Sequence, residues 1–189
     1  KRNIREEEQA GRQISSQQKK KESQLKTLKR DSKSMQQQVK TKQAAAKKIQ
    51  GMIQDFEKQK QEILRDLARH WGMTPEQAAQ EFAKNKGKLS WPVQGTLVGR
   101  FGPHKNEKLG TVTSNPGIDI KAPKGKSVRA VMHGKVIAIT WIPGFGNTII
   151  VGHGDSYYTV YAHIDNIQVN MNGYVLKGQI IAQVSDTGS

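Results

Sequence analysis

Two short segments carry the residues whose types could do chemistry. Asn115-Pro-Gly-Ile-Asp119-Ile places an amide four positions before a carboxylate, and Val160-Tyr-Ala-His163-Ile supplies an imidazole about forty residues later. Carboxylate and imidazole are both zinc donors, whereas an amide cannot offer the neutral imidazole nitrogen that zinc favours. An open catalytic zinc centre takes three protein ligands plus a water, so Asp119 with His163 alone would hold the metal weakly. Asp119 also has a plainer use, because a carboxylate in a strand turn accepts backbone N–H groups without any metal. His104, His133 and His153 have no second donor at helical or strand spacing, and they read as surface or turn histidines.

The elements that must hold these residues change character along the chain. Residues 1 to about 70 are rich in Gln, Lys and Arg, lack Pro, and have Gly11 as the one glycine of the first fifty positions. With Leu25 taken as heptad position a, the a series runs Leu25, Ser32, Val39, Ala46, Ile53, Lys60, Leu67. The d series runs Leu28, Met35, Lys42, Ile49, Phe56, Ile63. Most of these positions are apolar, which predicts a coiled coil. Ile4 and Ile14 stay in phase, but Glu7, Gly11, Gln18 and Lys21 weaken the seam toward the N-terminus. A helix of that length, roughly 100 Å at about 1.5 Å per residue, cannot bury its stripe alone, so a second helix or a second copy is expected beside it.

Gly72 is placed to end that helix, and Thr74-Pro75-Glu76-Gln77 to start another. Thr74 caps, Pro75 fits the first helical position, and Gln77 completes a capping box. The predicted short helix covers 75–86, with Ala78, Ala79, Phe82 and Ala83 on its buried face. From Leu89 onward, Gly and Pro punctuate short Val/Ile runs at 96–98, 128–131, 134–141, 147–152, 157–162, 174–176 and 179–184, with turns at Gly102-Pro103, Pro143-Gly144 and Asn172-Gly173. That rhythm predicts an all-β domain. The expected fold class is α plus all-β, and the expected boundaries are a coiled-coil arm over 1–71, a short helix and linker over 74–88, and a β domain over 89–189.

Charge and composition narrow the function. The formal net charge is +15, and residues 1–90 carry +11 of it against +4 for the remainder. The first reading is a solvated helix face, with anionic lipid or wall polymer as the more specific one. Aromatic residues make up 6%, and no nucleic-acid-binding module is visible, so no nucleic-acid partner is expected. Without cysteine there is neither a disulfide nor a thiolate metal site. The chain opens on Lys1 with no signal peptide and is read as an excised, C-terminally truncated fragment.

The β segment resembles a known family in eight short stretches that follow the family's order. They are Trp91 to Gly102, Gly117-Ile-Asp119 to Gly125, Val128-Arg-Ala130, His133-Gly134-Lys-Val136, Gly146-Asn147, His153-Gly154, Tyr161-Ala-His163 and Val175-Leu-Lys-Gly178. This is similar to the LytM/lysostaphin-like zinc peptidases that cut bacterial cell-wall peptides. The resemblance implies an antiparallel β-sheet domain in which the family's first metal ligand falls on Asn115 and the second on Asp119. The third would come from a His-x-His pair after Thr187-Gly188, and His163 matches a catalytic histidine. The imidazole expected at 115 is thus replaced, and Asn115, Asp119 and His163 become vestigial positions.

A coil, a short helix and a LytM-like domain with a defective histidine position resemble the EnvC-like group of murein hydrolase activators. That likeness implies a non-catalytic activator of peptidoglycan amidases in cell division and daughter-cell separation, working outside the cytoplasm at the envelope. It needs no cofactor. Its partners would be an amidase, an FtsEX-like membrane complex docked on the coil, and peptidoglycan itself. The amidase groove would include Asn115, Asp119, Tyr161 and His163, covered by the 75–86 helix through Ala78, Ala79 and Phe82. The alternatives are a zinc-dependent peptidoglycan endopeptidase of the LytM/lysostaphin type and a purely structural wall tether held by the basic coil.

Overall fold

The computed structural model describes residues 2–106 and 111–186. Three helices come first: α1 (Arg2–Lys58), α2 (Lys60–Trp71) and α3 (Pro75–Lys84). Among the described residues ten strands follow: β1 (Thr96–Gly99), β2 (Gly102–Asn106), β3 (Thr111–Asn115), β4 (Asp119–Lys121), β5 (Ser127–Arg129), β6 (Gly134–Ile142), β7 (Gly146–Gly152), β8 (Tyr158–Asp165), β9 (Tyr174–Val175) and β10 (Ile180–Val184). Six of them form an antiparallel sheet in the order β5-β10-β8-β7-β6-β9, while β1-β4 and β2-β3 make two-stranded ribbons. The expected α plus all-β class holds, as do the seven strands read from the Val/Ile runs. β2, β3 and β4 were not among the expected strands. Gly102-Pro103, read as a turn, lies within β2 opposite Asn115 and Ser114. Proline is tolerated there because a two-stranded ribbon has a free edge where no N–H is needed.

Contacts divide the chain into two units, Lys1–Lys40 and Thr41–Ser189. The heptad pattern places its boundary near 71 instead. In the first unit the seam residues Ile14, Leu25, Leu28 and Met35 are exposed. The side chains of Ile4, Glu7 and Gly11 lie outside the described residues.

In the second unit the same seam has a different fate. The helical pattern breaks at Gln59, and the short helix α2 follows. Ala45 and Ile49 of α1 and Ile63, Leu64, Leu67 and Ala68 of α2 are buried with Ile137, Ala138, Ile142 and Ile150 of β6 and β7. The expected partner helix is therefore replaced, over these turns, by the face of a β-sheet. A stripe of apolar residues specifies burial but not what buries it.

The sheet accommodates this because its strands alternate. Val136, Ile149 and Val151 point to a core with Tyr161, Ile164 and Ile181, while Ile137 and Ile150 point to the helices. Each fully buried Ile or Leu contributes roughly 1.5–3 kcal/mol, so neither face is expendable. Polar ties hold the helices in place. Lys135 Nζ donates to Asp66 Oδ2 at 2.6 Å, Lys60 pairs with Asp155 at 2.8 Å, and Ser156 Oγ donates to Glu57 Oε2 at 2.9 Å.

α2 stops at Gly72, whose φ of 63° is the left-handed conformation of a helix C-cap. The capping box that starts α3 is formed. Gln77 N donates to Thr74 Oγ1 at 3.2 Å, and Thr74 N donates to Gln77 Oε1 at 2.9 Å. α3 buries Ala78 and half-buries Ala79 and Phe82, while Ala83, expected on the same face, is exposed.

Candidate functional site

Asn115 closes β3 and Asp119 opens β4, so the three-residue turn between them sets both side chains at one point. Gly117 N donates to Asn115 Oδ1 at 3.2 Å, which fixes the amide's orientation, since only the carbonyl oxygen accepts. The other end is then Nδ2, which donates to Asp119 Oδ2 at 2.9 Å. The amide thus occupies one carboxylate oxygen of Asp119 with a hydrogen bond.

Asp119 is pressed against the backbone of β1, where Gly99 is its register partner. A Cβ on Gly99 would lie 2.1 Å from Asp119 Oδ2, so only glycine leaves room for this carboxylate. The donor set does not fit a catalytic zinc. Among the described residues the turn offers one carboxylate, bonded by an amide, against the three protein ligands of an open catalytic zinc centre, and residues 187–189 lie outside the described residues.

His163 sits on β8 with φ of 55°, a left-handed conformation inside a strand that costs of order 1–3 kcal/mol. Its N–H donates to Phe145 O at 2.7 Å, its carbonyl accepts from Ser185 N at 2.9 Å, and its ring stacks on Phe145 with centroids 6.1 Å apart. Three contacts from two residues, Phe145 and Ser185, hold the strained residue in place. Tyr161, two residues earlier, does not share this setting. It is buried in the core, where its Oη accepts from Val131 N at 3.0 Å. Strand alternation alone does not reveal this, because the left-handed turn at His163 changes the direction of the chain beside it. The groove role read for Tyr161 gives way to a core role.

The α3 contacts fall at the other end of β8. Phe82 stacks on Tyr157 with centroids 5.0 Å apart and lies over His153 at 4.6 Å. The backbone of Ala78 comes within 3.2 Å of where a Cβ on Gly154 would stand. Tyr158 pairs with Gly152 at this end of the strand, while Ile164, beside His163, pairs with Asn147 at the opposite end.

His153 is buried beneath Phe82. Its Nδ1 faces the His133 carbonyl at 2.7 Å and therefore carries the proton, leaving Nε2 to accept from Thr159 Oγ1 at 2.8 Å. Burial pushes its pKa down to about 4, against the opposing pull of the His133 carbonyl. His133 is lowered as well, chiefly by burial. His104 contacts the Arg100 carbonyl and lies exposed on β2, a surface histidine rather than one in a turn.

Sequence reasoning missed a set of exposed apolar side chains on the β1–β4 and β2–β3 ribbons. Val98, Phe101, Val112 and Ile118 are exposed, with Phe101 at 74%. Trp91 and Leu97 line an open cleft of about 290 Å³ together with Val93, Gln94, Gly95 and Ile120. Phe101 and Ile118 sit within a few residues of Asp119 and Asn115 in register. The signal for them was present in the sequence as apolar residues next to Gly-Arg and Pro-Gly breaks, where no core strand is expected.

The antiparallel sheet and the Asn115–Asp119 turn are of the kind the LytM/lysostaphin-like resemblance led one to expect. Residues 113–189 match the model of Peptidase family M23. Cell division protein DipM of Caulobacter vibrioides (strain NA1000 / CB15N) is 35% identical over 111 residues, covering 58% of this chain and 17% of that protein. Murein hydrolase activator NlpD of Escherichia coli (strain K12) is 36% identical over 100 residues, with 52% and 24% covered. Murein hydrolase activator EnvC of the same strain is 32% identical over 103 residues, with 54% and 24% covered. The chain therefore spans a quarter or less of the length of these relatives. A zinc-containing peptidase from Vibrio cholerae aligns with a TM-score of 0.49 at 33% identity, covering 52% of this chain and 32% of that one.

Proposed function

We propose that this chain is a non-catalytic activator of peptidoglycan amidases in cell division and daughter-cell separation, and that it grips the amidase through its vestigial peptidase groove. The observation that carries this reading is the 2.9 Å hydrogen bond from Asn115 Nδ2 to Asp119 Oδ2, which closes a ligand position with an amide. Two relatives bear the name murein hydrolase activator and a third is named a cell division protein. The apolar side chains around the turn suit a protein partner better than a polar glycan, since exposed patches of this kind mark interaction surfaces. The coil would dock to an FtsEX-like membrane complex and bias the groove between covered and open states. The protein would work at the cell envelope, outside the cytoplasm. Among the described residues no helix is long and apolar enough to cross a membrane.

The test adds the purified full-length protein to a cognate amidase and dye-labelled sacculi. Faster dye release with the amidase, and none from the protein alone, is the expected outcome. The zinc-endopeptidase reading predicts the reverse: stoichiometric zinc after mild chelation and cleavage of cross-linked peptide by the protein unaided.

A further inference from the structure

The first unit carries a second kind of order that its apolar seam does not explain. Lys19, Lys26, Lys33 and Lys40 recur at intervals of seven, and Arg5 and Arg12 continue the register upstream in the sequence. On an α-helix that interval drifts by only about 20° per step and advances about 10.5 Å, so the four lysines form one straight file of roughly 30 Å. The file occupies heptad position b, turned away from the a and d seam of Leu25, Leu28 and Met35. All four lysines are exposed, and among the described residues none of them makes an ion pair.

The surroundings of the file limit what it can meet. The positions three and four residues along from successive lysines are Glu22, Ser23, Lys29, Arg30, Gln36 and Gln37, so the face is polar, with Glu22 its one acid against six basic side chains. Residues 14–40 hold eight Lys and Arg against two carboxylates, Glu22 and Asp31, and Asp31 lies 3.6 Å from Arg30. No apolar side chain is available on this face to enter a bilayer. The helix would lie on a charged surface rather than in it. A convex cylinder with a single file of cations touches a plane along a line, whereas a strand-like polymer gains most from a groove that encloses it.

We propose that this file is a docking surface for an anionic phospholipid bilayer, with lysines spaced along the helix against lipid phosphates. It is independent of the amidase reading, since it uses the opposite face of α1 and none of the β domain. Attraction of this type is additive over basic residues and screened by salt.

The experiment measures co-sedimentation of the full chain with phosphatidylcholine vesicles, with and without added phosphatidylglycerol, as salt rises. Two charge-matched variants are compared, both using glutamine because it preserves helix propensity. One replaces Lys19, Lys26, Lys33 and Lys40; the other replaces Lys20, Lys21, Lys42 and Lys86, off the file. Circular dichroism confirms that both stay helical. Binding only to anionic vesicles is expected, with on the order of a hundredfold weaker partition for the file variant and a few-fold loss for the control. Equal losses in the two variants would reduce the file to ordinary net charge and overturn the proposal. So would absence of vesicle binding, or file-dependent binding to wall polymer or nucleic acid without any to vesicles.

Discussion

A single glycine and a single amide define the chemistry of the β1–β4 edge. Because a Cβ on Gly99 would stand 2.1 Å from Asp119 Oδ2, Gly99→Ala should destabilise the fold by about 1–3 kcal/mol, as for other overpacked sites. The loss should shrink when Asp119→Ala is added, and a double-mutant cycle in urea unfolding reads the coupling directly. Additive losses would mean that the carboxylate is not what fills the space. Provided the β domain stays folded, Asp119→Ala should abolish any peptidase activity but leave an activator working, which the dye-release assay reads. His153 sets a pH dependence whose sign follows from its depressed pKa of about 4. The unfolded state, with an ordinary histidine pKa near 6.5, binds the proton first as pH falls. The stability associated with neutral His153 is therefore complete above about pH 6.5 and lost progressively down to about pH 4, by roughly 3 kcal/mol at full extent. His153→Gln should flatten the urea midpoint across that window.

At the scale of elements, α3 is the piece whose role is easiest to test. Phe82 is half-buried against His153 and Tyr157, so Phe82→Ala should cost about 2 kcal/mol and loosen the helix from the hairpin. If α3 also restrains the partner groove, the same change should raise basal amidase activation in the dye-release assay, and an unchanged basal level would leave α3 a packing helix. Its start was legible in the sequence, since Thr74, Pro75 and Gln77 each favour one helical position for a local reason. Its docking place was not, because Phe82 reads as apolar whichever strand end it meets. The β2–β3 ribbon was missed for a related reason. Val112 is the one large apolar residue among Thr111, Thr113 and Ser114, and Gly102-Pro103 imitates a turn.

For the whole molecule, the division at Lys40 makes a prediction about independence. Deleting residues 1–40 should leave the melting temperature of the remainder nearly unchanged, since the second unit keeps its own core. Deleting 1–58 removes Ala45 and Ile49 and uncovers Ile137, Ala138, Ile142 and Ile150, and should lower the melting temperature by several degrees or cause aggregation. Differential scanning fluorimetry of the two truncations separates these outcomes. Equal melting temperatures would show that the α1 segment 41–58 contributes little to the β domain.

The sequence by itself determined the helical and β halves, seven of the ten strands found among the described residues, and the α3 cap. Each of these depends on interactions within a few residues or on a residue type at a fixed position. Tertiary structure decided the rest. It alone settled that the lower seam of the coil packs on a sheet, that Tyr161 belongs to the core, and that Gly99 shelters Asp119. Those outcomes depend on which surfaces meet across long stretches of chain, and hydrophobic burial, being non-directional, does not encode that choice in any local pattern.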